Sequence, residues 1–273
     1  MPTPEDDPEA APAPTFTIVR EPRVYLVGRQ TVDTAALDAF LADHHADTWS
    51  TDTEVAGETL IEVAGRLCYM SFAKPRPGGN HAYLGHILEV GHGSVLEHSV
   101  YNLIITGVSR SFTHELVRHR AGFGYSQLSQ RFVDESECEF VEPAAIADDP
   151  ELHRVWLEAI SACQQAYQTL ADGLARKFAQ IDDRTLRRKK AREAARSVLP
   201  NATETKIFVT ANGRALRHFI EQRSDPAADV EIRKVAIAVL RLLQADSPNL
   251  FGDYSITDLP EGGETATTPH RKV

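Results

Sequence analysis

The sequence predicts an α+β fold, with a small, largely antiparallel sheet flanked by long helices. Short runs rich in Val, Ile and Tyr, at 24–32 (VYLVGRQTV), 98–106 (HSVYNLIIT) and 205–210 (TKIFVT), fall singly between helical stretches. They lack the regular strand–helix alternation of a doubly wound sheet. No window approaches about 18 consecutive apolar residues, so no membrane span is indicated.

The elements follow from apolar spacing and breakers. Residues 34–44 and 58–71 read as helices, and the Pro/Gly-rich run 74–79 as a loop. Residues 81–90 form a helix closed by Gly91. Pro150 to Gln180 is a long helix, with Leu152, Val155, Trp156, Ile160, Tyr167 and Leu170 expected inward. A helix at 186–198 ends before Pro200. Helices at 214–223 and 230–243 are separated by Ser224-Asp225-Pro226. Residues 1–15 are acidic and rich in proline and alanine, without a secretory signal's basic and apolar regions. They read as a disordered acidic tail. Residues 256–273, with Gly262, Gly263, threonines and two prolines, read as a disordered C-terminal tail, leaving 16–255 as a single domain.

Net charge is −10, but the tails supply −4 and −1, leaving the body near −5. Residues 184–223 carry eleven Lys or Arg against Glu193, Glu204 and Glu221. A basic segment in an acidic chain suits a small anionic ligand better than a long nucleic-acid track. The three cysteines are far apart and form no C-x-x-C, so neither a disulfide framework nor a zinc clasp is suggested. The cytoplasm is then the default compartment.

The chemistry concentrates in 108–133, VSRSFTHELVRHRAGFGYSQLSQRFV, with four arginines, two histidines and four serines in 26 positions. Ser109 or Ser111 can cap a helix whose inward face holds Phe112 and Leu116. Gly122 and Gly124 end it, and Tyr125 to Val133 reads as a strand carrying Gln127, Ser129 and Arg131. Arg118, His119 and Arg120 at the helix end merely complement the macrodipole, or they face a multiply anionic ligand. There is no G-x-G-x-x-G, no P-loop and no G-x-S-x-G elbow. Three more blocks stand out. His92, Glu97 and His98 invite a metal reading, but a spacing of six is wrong for a helical zinc pair. A capping box, Ser94 with Glu97, explains the run better. Arg192 and Arg196 are one turn apart on a helix, where a solvated basic face is the alternative. Asn212-Gly213 opens a helix with Arg214 and His218 on one face, a plausible anion site.

RHR followed by SQLSQR resembles the signature of the flavin-dependent thymidylate synthases. The family spacing is RHR, seven residues, then Ser; here Ala121 to Leu128 puts eight before Ser129, and the usual following Tyr is Phe132. The unbroken YSQLSQR match makes Ser129 the corresponding serine, with the extra residue looped out around Gly122 to Gly124. The 92–98, 191–200 and 210–223 blocks also resemble that family. The resemblance implies a thymidylate synthase-complementing protein-like fold. It further implies reductive methylation of dUMP to dTMP with methylenetetrahydrofolate as carbon donor, FAD as hydride carrier and NADPH as reductant. It places His92, Ser94, Glu97, Arg118, His119, Arg120, Gln127, Asn212, Arg214 and His218 at the cofactor. Glu115, Arg118, Gln127, Leu128, Ser129, Gln130, Arg131, Arg196 and Arg223 fall at dUMP, with Arg223 catalytic through promotion of N3 ionisation. A homotetramer with shared sites is implied, with neither nucleic acid nor membrane as partner. The alternatives are a metal-dependent hydrolase using His92, Glu97 and His98, or a non-enzymatic nucleotide- or RNA-binding protein using 184–223.

Overall fold

The computed structural model describes residues 16–74 and 77–273. The acidic stretch 1–15 expected as a disordered tail lies outside the described residues, as do Pro75 and Arg76. In chain order the elements are β1 (Ile18–Val19), β2 (Arg23–Arg29), α1 (Thr34–Asp43), α2 (Ala56–Leu67), α3 (Gly79–Glu89), β3 (Val100–Ser109) and α4 (Arg110–Leu116). There follow β4 (Phe123–Gln127), β5 (Phe140–Val141), α5 (Ala144–Ala147), α6 (Pro150–Lys177) and α7 (Arg184–Ala195). The chain ends with β6 (Glu204–Asn212), α8 (Gly213–Arg223), α9 (Val230–Asp246), α10 (Pro248–Phe251), β7 (Ser255–Asp258) and β8 (Glu264–Thr267). Single 3₁₀ segments occupy Gly93–His98 and Arg196–Val198.

The described residues divide into two compact units, one of 16–20 with 129–204 and one of 21–74 and 77–128 with 205–273. Each has its own apolar cluster, which is the physical reason for the division. The larger unit holds the four-stranded sheet, in order β2-β3-β6-β4. The β2–β3 and β4–β6 pairs are antiparallel, as expected. Leu103, Ile105, Ile207 and Val209 from the sheet share one core with Leu216, Phe219 and Ile220 of α8. Ile232, Val235, Ala236, Val239, Leu240 and Leu243 of α9 join it, a full helical stripe. Each of the Val, Leu, Ile and Phe side chains among these contributes about 1.5–3 kcal/mol by leaving water.

The segment 256–273 is not a disordered tail. β7 and β8 pair antiparallel from Ser255↔Thr267 to Asp258↔Glu264. Ala266 is buried in the main core, with Ile256 and Val273 packed against it. Thr265 Oγ1 donates to Ser224 O (2.8 Å), and Ser224 Oγ to Ala266 O (3.2 Å). Its threonines and glycines look solvated by composition. The threonine hydroxyl and the alanine instead fit a surface at the end of α8 that no local pattern reveals.

In the smaller unit, Phe16, Cys138, Phe140 and Ile160 form the core, with Trp156 and Leu157 against it. Asp149 caps α6 by accepting from the Glu151 and Leu152 amides, with Pro150 in the first turn. Of the residues expected inward on this helix, Ile160 and Tyr167 are buried, whereas Leu152, Val155 and Leu170 are exposed. Along this 28-residue helix the buried side chains are Ile160, Gln164 and Tyr167, so its apolar stripe runs beyond the part that meets the core.

Candidate active site

In the larger unit the RHR region is built from α4. Ser109 Oγ accepts from the Phe112 amide (3.1 Å) and donates to Glu231 Oε2 (2.6 Å). Burial pushes the Glu231 carboxyl up, against the two Ser109 bonds that pull it down. Phe112 and Leu116 are buried, as their spacing requires. The helix stops at Leu116, earlier than the glycines suggest, and Arg118, His119 and Arg120 lie in the turn beyond it. The Tyr125 hydroxyl, 2.9 Å from Leu116 O and 2.5 Å from His119 O, pins that turn.

Arg223, in the last turn of α8, donates through Nη1 to Glu115 Oε2 (2.8 Å) and through Nε to His119 Nε2 (3.0 Å). Arginine only donates, so His119 Nε2 is an acceptor and the ring is neutral with its proton on Nδ1. Burial, then the charge of Arg223, then His218 push the His119 pKa down to about 4. The ring stands edge-on to Phe219, with centroids 5.2 Å apart. Glu115 and His119 thus fix one plane of the guanidinium.

β4 pairs with β6 without a break from Phe123↔Ala211 to Gln127↔Ile207. The Phe123 amide donates to Arg120 O (3.2 Å), and Gly122 takes φ +74°. A Cβ on Gly122 would come 2.7 Å from Asn212 Nδ2 and 2.8 Å from Ala215 Cβ, so only glycine fits. Gly124 is ordinary extended strand. β4 ends at Gln127, so the strand expected to reach Val133 does not carry Ser129 or Arg131. Gln127 Nε2 donates to Thr113 Oγ1 (3.2 Å) and Thr205 Oγ1 (3.3 Å), and the Leu128 amide donates to Lys206 O (2.9 Å).

The 92–98 and 212–218 blocks meet at Arg214. Its Nη1 donates to Glu97 Oε1 (2.7 Å), so the capping box expected of Ser94 and Glu97 does not form. The carboxylate gains more from a guanidinium than from a lone amide. A pocket of about 440 Å³ is lined by Glu97, Gly122, Asn212, Arg214, His218 and Gln222, among others. A second, of about 320 Å³, is lined by Cys68, Tyr69, Tyr83, His92, Ser94 and again Arg214. Gln222 was missed by the sequence reading, because nothing local marks it. The opening of α8 offers fewer free amides than expected. Asn212 Oδ1 takes the Ala215 amide (2.8 Å), and the Gly213 amide donates to Ser99 O (2.7 Å). Arg118 and Arg120 are exposed and line neither pocket. Among the described residues, no group of three His, Cys, Asp or Glu is disposed to hold a metal ion.

In the smaller unit, Ser129 opens a turn whose Phe132 and Val133 amides donate to Ser129 O (3.1 and 3.0 Å). Arg131 pairs with Glu193 of α7 (2.8 Å). Arg192 donates to Phe132 O (2.7 Å) and Asp134 Oδ2 (2.5 Å), clamping the loop. Burial raises the Asp134 carboxyl, but the Ser136 bonds and Arg192 outweigh it and hold it below the usual range. Arg196, half-buried, opens the 3₁₀ turn after α7. Gln130 Nε2 and Arg131 Nε are buried without a protein partner, two donors an anionic ligand could use. The basic segment 184–223 is not a continuous cationic track. Arg192, Arg214, Arg217 and Arg223 are each paired, with Asp134, Glu97, Asp253 and Glu115.

Fold and site together define an α+β protein whose pockets are lined by guanidinium and imidazole groups, in a sequence without a glycine-rich phosphate loop. A family profile described as thymidylate synthase complementing protein matches residues 51–249. A flavin-dependent thymidylate synthase of Mycolicibacterium gilvum is 54% identical over 223 residues, 81% of this chain and 88% of that protein. The one from Mycobacteroides abscessus is 53% identical over 232 residues, 84% and 92% of the two chains. The crystal structure of a UMP/dUMP methylase PolB from Streptomyces cacaoi, bound with 5-Br dUMP, shares the fold at TM-score 0.64 and 19% identity, over 87% of this chain and 96% of that one. The chain belongs to the thymidylate synthase complementing protein family, that of the flavin-dependent thymidylate synthases.

Proposed function

We propose that this chain methylates C5 of dUMP to give dTMP, with methylenetetrahydrofolate as carbon donor and NADPH as reductant through FAD. The observation that carries the reading is the convergence of the 92–97 and 212–218 blocks on Arg214, between two pockets. A flavin dinucleotide is long, with a flat ring system and a diphosphate. Pockets of about 320 and 440 Å³ sharing one half-exposed guanidinium suit such a ligand. His92, Ser94, Glu97, Asn212, Arg214 and His218 are the residues that would hold it, and by resemblance Arg118, His119, Arg120 and Gln127 as well. When bound, it supplies the hydride chemistry.

The protein's own task is to activate the pyrimidine. Loss of the N3 proton places negative charge on the ring and pushes electron density toward C5. Arg223 stabilises that charge. Glu115 and His119 occupy two of its five N–H groups and leave the others in a fixed plane. Cys138 is a poor candidate for a nucleophile: burial pushes its thiol up to about 12, away from thiolate chemistry. The dUMP phosphate falls to Ser129, Arg131 and Arg196, with Leu128 and Gln130 beside them by resemblance. Two unpartnered buried donors at Gln130 and Arg131 support this. We further assign a homotetramer with shared sites, a cytoplasmic location, and neither nucleic acid nor membrane as partner. Among the described residues, no helix is long and apolar enough to cross a membrane.

Equilibrium dialysis with FAD, read by the flavin's visible absorption, tests the base of this reading. Saturable binding is expected; no bound flavin at saturating FAD would overturn it.

A further inference from the structure

The final segment, 268–273, is part of no block that the sequence or the mechanism uses, yet it is fixed onto the Arg214 region. Arg217, buried, forms a bidentate pair with Asp253 (2.7 and 2.8 Å) and reaches Thr268 Oγ1 (3.5 Å) and His270 O (3.4 Å). Thr268 Oγ1 also donates to Asp253. Glu221 then takes two donors from the segment, Arg271 Nε (3.1 Å) and the Lys272 amide (2.9 Å). Lys272 sits at φ +60°, a left-handed conformation that a lysine adopts at a cost and keeps only where its surroundings hold it. Val273 packs on the main core. A Cβ at Gly93 would collide with the Val273 carbonyl carbon and lie 3.0 Å from Arg214 Nε. Gly93 therefore leaves just enough room for the segment to pass. Lys272 and Val273 line the 440 Å³ pocket together with Glu97, Asn212, Arg214 and His218.

We propose that the 268–273 strap is a built wall of the flavin site, with Lys272 a cofactor-positioning residue that adds a second cation beside Arg214 for an anionic part of the flavin dinucleotide. This rests on the reading that the pocket takes FAD. Charge makes the assignment specific. Arg214 is already shared with Glu97 and is, among the described residues, the one guanidinium in this pocket's lining, so a diphosphate seated in it meets a partly neutralised cation unless Lys272 contributes. The clamp by Glu221 holds the strap backbone and leaves the Lys272 ammonium unengaged by that carboxylate.

The test is the affinity of the full chain for FAD, and separately for riboflavin, which lacks phosphate, measured by equilibrium dialysis. Lys272→Ala is expected to weaken FAD binding about tenfold or more, the scale of one charge-assisted hydrogen bond, and to leave riboflavin unchanged. Glu221→Gln, which loosens the clamp without removing a residue of the strap, is expected to weaken FAD binding in the same direction. Circular dichroism spectra matching wild type establish that each variant is folded. Unchanged or tighter FAD binding in folded Lys272→Ala and Glu221→Gln overturns the proposal, the tighter case making the strap an obstruction. Absence of FAD binding by the wild-type protein overturns the flavin reading itself, so the two failures are distinct.

Discussion

Arg223→Lys separates the positioning of a charge from its mere presence. In the folded chain the guanidinium side chain is 22% exposed and bonds two partners from different edges of one plane, Glu115 at 2.8 Å and His119 at 3.0 Å. A lysine ammonium can stay on the carboxylate but cannot also reach the imidazole, so His119 Nε2 loses its donor. A hydrogen bond to a charged group is worth about 1.5–3 kcal/mol when fully buried. Partial exposure and the retained ion pair reduce the loss to about 1 kcal/mol, small enough to leave the fold intact. The catalytic loss is larger. Removing a preorganised donor to a developing anion costs about 10²–10³ in rate, and the planar donor set is what the substitution destroys. Urea unfolding reads the first quantity, and single-turnover dTMP formation on FAD-loaded protein reads the second. FAD binding should be unchanged. Wild-type turnover in the variant would remove Arg223 from the chemistry, and equal losses of FAD and dUMP affinity would show a folding defect instead.

Three further outcomes are expected. His119 is held neutral down to about pH 4, whereas the unfolded imidazole titrates near 6.5, so on acidification the unfolded chain takes up the proton first. Stability is complete above pH 6.5, falls as pH drops to about 4, and loses nothing more from this group below that. Discounted for the ring's partial exposure, the loss is about 1–2 kcal/mol; urea unfolding at several pH values should show it, with a flatter profile in His119→Gln. Gly122→Ala should cost about 1–3 kcal/mol, from a positive φ and overlap with Asn212 and Ala215, and should weaken FAD binding; a thermal melt identical to wild type would refute the steric account. Arg217→Met should destabilise the chain by about 3–5 kcal/mol by leaving Asp253 uncompensated, and adding Asp253→Leu should recover much of it. Failure of the double variant to melt above the single one would argue against an ion-pair origin.

Local patterns were legible wherever one stretch of chain decides its own structure. The Ser109 cap, the Phe112/Leu116 stripe and the α9 stripe needed only neighbours three and four residues away. The positive-φ turn was legible too, because a glycine in the loop between RHR and the serine run is a local signal. The strand limits were not: β4 stops at Gln127, opposite Ile207 of β6, and a pairing partner far along the chain is invisible to alternation. Leu152, Val155 and Leu170 looked inward for the same reason, since a helical stripe does not say how far its cover extends.

By itself, the sequence determined the α+β class, the residue types at the site and their grouping into blocks, because hydrophobic period, breakers and motif order are properties of short windows. Tertiary structure alone decided how those groups are used. Glu97 left its expected cap for Arg214, and Arg223 acquired Glu115 and His119 as partners 108 and 104 residues away. A polar-looking end of the chain became a strap on the pocket. Each of these turns on a charge or hydroxyl choosing between local and distant partners, and that choice is settled only when the core brings the distant partner within hydrogen-bond reach.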